Sequence, residues 1–259
     1  MSKLSVIIPA YQRLADVMLC LNSLRQTAVT DVHFHVQDDA SPDVFFPQVI
    51  PPELATVARN EKNLGFPGNC NAGARNTTSD ILCFVNQDVF ATPDKSPGWD
   101  AAIINAFDDP TVGIVGPRLL FPNNAVQNAG GLFDGRLQPY HRALGWTNPD
   151  VKPLLAPAFV DWTTGAVFAV RRWLWDMLGG FDEDYIKGYF EDVDFCLSAR
   201  EKGLRVWYEP RATLYHEVGT SGGNPNFMRN TKLFYERWVA SGKLEQLVEK
   251  QPGVVLGWW

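Results

Sequence analysis

The 259 residues carry a net charge of −6, which argues against nucleic acid as a partner. Hydrophobic residues make up 46% and charged residues 20%, as in an ordinary globular protein with enough chain for a large core. The N-terminal apolar run Val6-Ile7-Ile8 stops at Pro9, too short for a signal peptide, and no apolar stretch is long enough to span a bilayer.

Four cysteines, Cys20, Cys70, Cys83 and Cys196, stand far apart in apolar surroundings without zinc spacing. They read as reduced core residues of a cytoplasmic protein, at most peripheral to a membrane. Most of the nine tryptophans read as core filler. Trp258-Trp259 reads as a packed or disordered tail.

In chain order, residues 4–8 form a β-branched run closed by Pro9, hence a buried strand. Leu14, Val17, Met18, Leu21 and Leu24 then recur at helical spacing. Residues 32–36 predict a second strand, which runs into Asp38-Asp39-Ala40-Ser41-Pro42. Two acids at a strand end face solvent or a site, or form an Asx-type turn. Residues 56–58 predict a short third strand. Residues 60–73 are rich in Gly and Asn and lead into a short helix at 72–76. Such a loop can aim backbone N–H groups at an anionic ligand. Residues 81–85 predict a strand ending in Asn86-Gln87-Asp88, 99–107 a helix, and 112–115 a strand closed by Gly116-Pro117. Alternating strands and helices predict an α/β domain with a mostly parallel sheet and helices on both faces. Ligands of such sheets sit at the strands' C-terminal ends, where Asp39 and Asp88 stand.

Residues 121–157 predict irregular structure with a hairpin, packed on the first half. Residues 159–170 read as one strand-like run and 172–178 as a short helix. Phe190-Glu191-Asp192-Val193-Asp194-Phe195 then crowds three carboxylates into four positions. Acids favour a helix N-terminus, and an amphipathic helix follows, ending near Gly203. Capping explains one acid. The density beside aromatic residues points to a general base. Residues 206–208 and 213–215 predict two strands, the second ending at His216. Residues 227–250 look helical apart from a break at Ser241-Gly242.

Taken in order, these stretches resemble family 2 glycosyltransferases of the GT-A fold, rhamnosyltransferase-like branch. The matching segments are Ser5-Val6-Ile7-Ile8-Pro9-Ala10-Tyr11, Asp38-Asp39-Ala40-Ser41, Asn63-Leu64-Gly65-Phe66 and Phe84-Val85-Asn86-Gln87-Asp88. Further on come Asp161-Trp162-Thr163-Thr164-Gly165-Ala166, Gly179-Gly180-Phe181-Asp182-Glu183, Phe190-Glu191-Asp192-Val193-Asp194 and Tyr215-His216.

The resemblance implies a mostly parallel, Rossmann-like sheet flanked by helices. Residues 1–120 would form the nucleotide-sugar half and 121–225 the smaller acceptor half, with a helical extension at 226–259. It implies Asp192 as general base with Glu191 beside it. It implies Pro9, Tyr11, Asp39 and Asn86 at the nucleotide, and Asp88 and His216 at a Mn²⁺ or Mg²⁺ ion. Trp162, Gly165 and Asp194 would meet donor or acceptor sugar. The implied reaction moves a sugar, with inversion, from a nucleotide-diphosphate donor to a hydroxyl of a glycan or lipid-linked saccharide. dTDP-rhamnose is one donor, and UDP-galactofuranose, UDP-GlcNAc and GDP-sugars are others. The motif at 86–88 departs from the family's DxD pattern, because Asn86 brings no charge. That lowers the expected metal affinity. The alternative is a non-catalytic nucleotide- or glycan-binding module of the same fold, which would have no need of Asp192.

Overall fold

The computed structural model describes residues 2–43, 46–217 and 224–250, so Trp258 and Trp259 lie outside it. The elements run β1 (Leu4–Ala10), α1 (Leu14–Thr27), β2 (Val32–Asp38), α2 (Phe46–Val49), β3 (Thr56–Arg59), α3 (Gly65–Arg75) and β4 (Ile81–Val85). Next come β5 (Val89–Phe90), α4 (Trp99–Ala106), β6 (Val112–Leu120), β7 (Val126–Asn128), the hairpin β8 (Gly131–Phe133) and β9 (Pro139–His141), α5 (Lys152–Leu155) and β10 (Ala158–Val160). The chain continues through β11 (Val167–Arg171), α6 (Arg172–Leu178), α7 (Glu191–Glu201), β12 (Arg205–His216), α8 (Phe227–Phe234), a π-helical turn (Tyr235–Val239) and α9 (Lys243–Lys250).

One mixed sheet takes strands from the whole length, in the order β10-β12-β6-β11-β4-β1-β2-β3. The block β4-β1-β2-β3 is parallel, β12 runs parallel to β6, and β11 is antiparallel to both β4 and β6. β1 is buried along its whole length, as a central strand covered on both faces must be. Its alternation divides the core. Val6 and Ile8 join Leu21 of α1 and Trp99 of α4. Ile7 joins Cys70 of α3, Trp175 of α6 and Phe195 of α7. All four cysteines are buried.

Several predicted boundaries move, and the strand expected to close at Gly116-Pro117 runs through both residues to Leu120. The run at 159–170 breaks into β10 at the sheet edge and β11 inside it, because the chain leaves the ladder after Val160 and turns at Gly165-Ala166. The two strands predicted at 206–215 are one, β12, with a register shift between Glu209 and Thr213. α3 begins at Gly65 rather than near Ala72, with Asn69 and Asn71 buried inside it. Their side chains bond across to neighbours, so they need no loop: Asn69 donates to the Gln37 carbonyl, and Asn71 to the Phe181 carbonyl.

Candidate active site

The C-terminal ends of β1, β2 and β4 lie side by side, as parallel pairing demands. At β1 the Tyr11 amide donates to Gln87 Oε1 at 2.9 Å, and Gln87 Nε2 returns to the Tyr11 carbonyl at 3.2 Å. Gln87, the middle residue of the 86–88 motif, is therefore a strap between two strand ends. Tyr11 is 43% exposed there, while Pro9 is buried inside β1 opposite Gln37. Of these two expected nucleotide contacts, Tyr11 alone offers surface.

Asp39 follows β2 and is 3% exposed. Its Oδ1 accepts from the Leu64 amide at 2.8 Å and from Asn60 Nδ2 at 2.9 Å, and its Oδ2 from the Gly65 amide at 2.9 Å. The loop amides expected to wait for an anionic ligand are thus taken by the chain's own carboxylate, which caps the start of α3. Burial pushes the Asp39 carboxyl up, and these donors pull it back down. Three of about four acceptor positions are filled, which leaves one on Oδ2.

At β4 and β12, His216 Nε2 lies 3.1 Å from Asp88 Oδ1 and 3.5 Å from Asn86 Nδ2. Gln127, from β7, orients the ring. Its Nε2 donates to the His216 carbonyl at 3.1 Å, so its Oε1 must accept from Nδ1–H at 2.7 Å. That assignment leaves the Nε2 lone pair open toward Asp88 Oδ1 and Asn86 Nδ2, an arrangement that a cation shared with Asp88 would complete. The donor set of one imidazole and one carboxylate fits a Mn²⁺ or Mg²⁺ ion that takes its other ligands from a diphosphate and water. Among the described residues no group of three or more His, Cys, Asp or Glu could hold an ion without such help.

The Asn86 amide donates to the Ala166 carbonyl at 2.9 Å, which joins the metal-side residues to the turn before β11. There the Gly165 amide donates to Asp192 Oδ2 at 2.7 Å. A Cβ on Gly165 would sit 3.2 Å from the Phe66 ring, and Phe66 follows Gly65, which bonds Asp39. A continuous line of contacts therefore joins Asp39, Gly65, Phe66, Gly165 and Asp192, and a second joins Ala166, Asn86, His216 and Asp88.

Asp192 is half-buried in the first turn of α7, and its Oδ1 takes the Val193 amide at 2.8 Å. Burial pushes its carboxyl up while the Gly165 and Val193 amides pull it down. Glu191 is 4% exposed, and its Oε2 has no hydrogen-bond partner. Burial and then the charge of Asp192 push Glu191 well above the usual carboxylate range. Burial thus disfavours a charge on both, more strongly on Glu191, and Asp192 has the Gly165 and Val193 amides to offset it.

Two expected sugar contacts lie elsewhere. Trp162 is 4% exposed, donates to the Leu132 carbonyl at 3.1 Å and covers Gly131, so it fastens the β8–β9 hairpin. Asp194 Oδ1 takes Trp238 Nε1 at 2.6 Å, Tyr185 Oη at 3.0 Å and Arg237 Nη1 at 3.0 Å. It ties α7 to the π-helical turn beside a cavity of about 440 Å³ whose lining does not include Asp192. Sequence reasoning missed Gln87 and Gln127. A strap and a ring-orienting amide leave no spacing pattern.

Residues 5–156 match the family model described as Glycosyl transferase family 2. The chain belongs to that family. It is 28% identical over 236 residues to the O-antigen biosynthesis protein RfbC of Myxococcus xanthus, covering 85% of this chain and 18% of that protein. It is 30% identical over 151 residues to an N-acetylglucosaminyl-diphospho-decaprenol L-rhamnosyltransferase of Mycobacterium tuberculosis, covering 53% of this chain and 49% of that protein. The chain thus spans less than half the length of either relative. Among solved structures, GalNAc-T7 with UDP, GalNAc and Mn²⁺ aligns over 97% of this chain and 51% of that one, at 18% identity and a TM-score of 0.74. Mannosyltransferase PcManGT from Pyrobaculum calidifontis, in complex with GDP-Man and Mn²⁺, aligns over 96% of this chain and 73% of that one, at 17% identity and a TM-score of 0.60. These likenesses establish the GT-A fold. No described helix of this family 2 chain is long and apolar enough to cross a membrane.

Proposed function

We infer that this chain transfers a sugar, with inversion, from a nucleoside-diphosphate sugar to an acceptor hydroxyl. One observation carries the reading: a half-buried carboxylate, Asp192, is held by the Gly165 amide at the end of the contact lines that lead to Asp39 and to the Asp88–His216 pair. Asp39 accepts from the donor's base or ribose through its remaining Oδ2 position, with Tyr11 and Asn86 beside it. Asp88 and His216 would hold Mg²⁺ or Mn²⁺, which supplies positive charge for the departing diphosphate.

Asp192 keeps at least one acceptor position beyond its bonds from backbone amides. That position receives the proton of the attacking hydroxyl as its oxygen forms the new bond to the anomeric carbon. The diphosphate leaves from the opposite face with the bonding electron pair, so one displacement inverts the centre. Gly165 keeps Asp192 oriented, and burial disfavours a second charge on Glu191 beside it.

dTDP-rhamnose is the first donor to try, because one relative is named as a rhamnosyltransferase. That relative's name also makes a lipid-linked diphosphosaccharide a reasonable acceptor. The test is calorimetry of UDP, dTDP and GDP, followed by turnover of the matching nucleotide sugars, each with Mn²⁺ and with EDTA. Metal-dependent binding of one nucleotide and turnover of its sugar are expected. Equal affinity in EDTA and Mn²⁺ removes the metal assignment, and binding without any turnover favours the non-catalytic module.

A further inference from the structure

The chain immediately before Glu191 has an improbable backbone. Lys187, Gly188, Tyr189 and Phe190 have φ values of 61°, 103°, 74° and 76°, four left-handed residues in a row. Three carry side chains and two are aromatic, so the run is costly and persists only where its surroundings over-determine it. The surroundings are two asparagines from the C-terminal segment. Asn224 Nδ2 donates to the carbonyls of Ile186 at 2.9 Å and Gly188 at 2.7 Å. Asn230 Nδ2 donates to the same two carbonyls, at 3.1 and 2.7 Å. Both N–H bonds of each amide are used, and both carbonyls accept twice. The Asn226 amide donates to Asn224 Oδ1 at 2.8 Å, which settles that side chain's orientation. Asn230, on α8, is completely buried. The same helix stacks Phe234 on Phe190 at 5.0 Å, and Phe227 meets Tyr189 edge-on at 5.5 Å.

The clamped turn touches both halves of the candidate site. A Cβ on Gly65, whose amide bonds Asp39, would lie 3.1 Å from Lys187 Cα. A Cβ on Gly188 would lie 3.6 Å from Glu191 Oε1. The Phe190 carbonyl takes the Asp194 amide at 2.8 Å and so starts α7, with Asp192 in its first turn.

We propose that Asn224 and Asn230 are positioning residues for the Glu191–Asp192 pair. Their amides hold the left-handed 187–190 turn, and through it the carboxylate that meets the acceptor hydroxyl. Residues 224–234 are then part of the catalytic architecture, although they lie beyond the matched family segment. The proposal rests on Asp192 as the base, and its test has one arm that needs no turnover. The Gly165 amide is bonded to Asp192, so its hydrogen exchange reports where that carboxylate sits.

In Asn224→Ala, half of the clamp is removed at a partly exposed position, so the fold should survive. Gly165 exchange should quicken about 10-fold, while amides at the centre of β1 keep their rates. kcat should fall about 10- to 100-fold with the donor KM within about 3-fold, the signature of a misplaced catalytic group. Asn230→Ala should do the same or more. Unchanged Gly165 exchange overturns the proposal, and so does a β1 control that quickens in step, because that would mark general loosening. Unchanged kcat in an active enzyme overturns it too. If the wild-type chain turns over no sugar, the functional reading fails, and the exchange arm still decides whether the clamp sets Asp192.

Discussion

At the scale of single residues, Asp192 and Glu191 differ in what surrounds them. The Gly165 and Val193 amides favour a charge on Asp192, while Glu191 Oε2 has no donor at all. Asp192→Asn keeps the shape and removes the proton acceptor. Transfer should fall roughly 10²–10⁴-fold while nucleotide affinity stays within error. Stability should hold, because Asn serves a helix start about as well as Asp. A variant that turns over normally would make the acidic cluster structural. The pH profile follows in sign. A base acts when ionised, and burial raises this carboxyl, so kcat should be lost as pH falls through a value above that of an ordinary aspartate. An acidic limb that survived in Asp192→Asn at residual activity would assign that limb to another group.

At the scale of elements, the site depends on how α7 and the C-terminal segment lock together. Asp194 stands two residues after Asp192, on another side of the helix, and gathers three donors from Tyr185, Arg237 and Trp238. Burial pushes its carboxyl up, and the Trp238 indole and Arg237 guanidinium pull it down. Asp194→Ala leaves an indole N–H and a phenol without their acceptor, and leaves Arg237 with Asp182 as its remaining carboxylate. The expected cost is about 1–3 kcal/mol, the scale of leaving buried donors unsatisfied. Chemical denaturation checks it, and a loss below about 1 kcal/mol would show that water replaces the carboxylate. Legibility differs within this one helix. The amphipathic run and its acidic start can be read from spacing. Which acid takes the Gly165 amide and which takes Trp238 cannot, because Trp238 is 44 residues from Asp194 in sequence.

At the scale of the whole molecule, buried carboxylates set the pH dependence of stability. Glu191 is the extreme case, with a folded-state pKa well above its unfolded value. The folded protein then binds a proton that the unfolded chain releases. This group's penalty is therefore absent below about pH 4, grows as pH rises through the unfolded value, and stops growing above the folded one. Asp39, Asp192 and Asp194 are shifted in the same direction by burial. Asp109 and Asp134 are shifted down by local donors, but they are exposed and screened. Glu191→Gln should thus match wild type near pH 4 and exceed it by about 1–3 kcal/mol near pH 8, the scale of an unsatisfied buried polar group. Urea titrations at the two pH values measure the difference. A variant less stable at both would mean that the carboxyl has a partner the neutral amide cannot replace.

By itself the sequence determined the α/β class, the order of most elements and the family, because these follow from local signals. Hydrophobic runs mark buried strands, 3.6-residue periodicity marks helices, and short motifs recur in a set order. It also singled out Asp39, Asp88, Asp192 and His216, since acids and an imidazole at strand ends and helix starts are unusual enough to read. Only the tertiary structure decided what surrounds them. The Leu64 and Gly65 amides reach Asp39 across 25 and 26 positions, Gln127 reaches His216 across 89, and Trp162 turns inward to cover Gly131. Hydrogen bonds act over about 3 Å in space but carry no signature along the chain. A polar side chain between apolar neighbours reads the same whether it ends up as a strap, a clamp or a ligand.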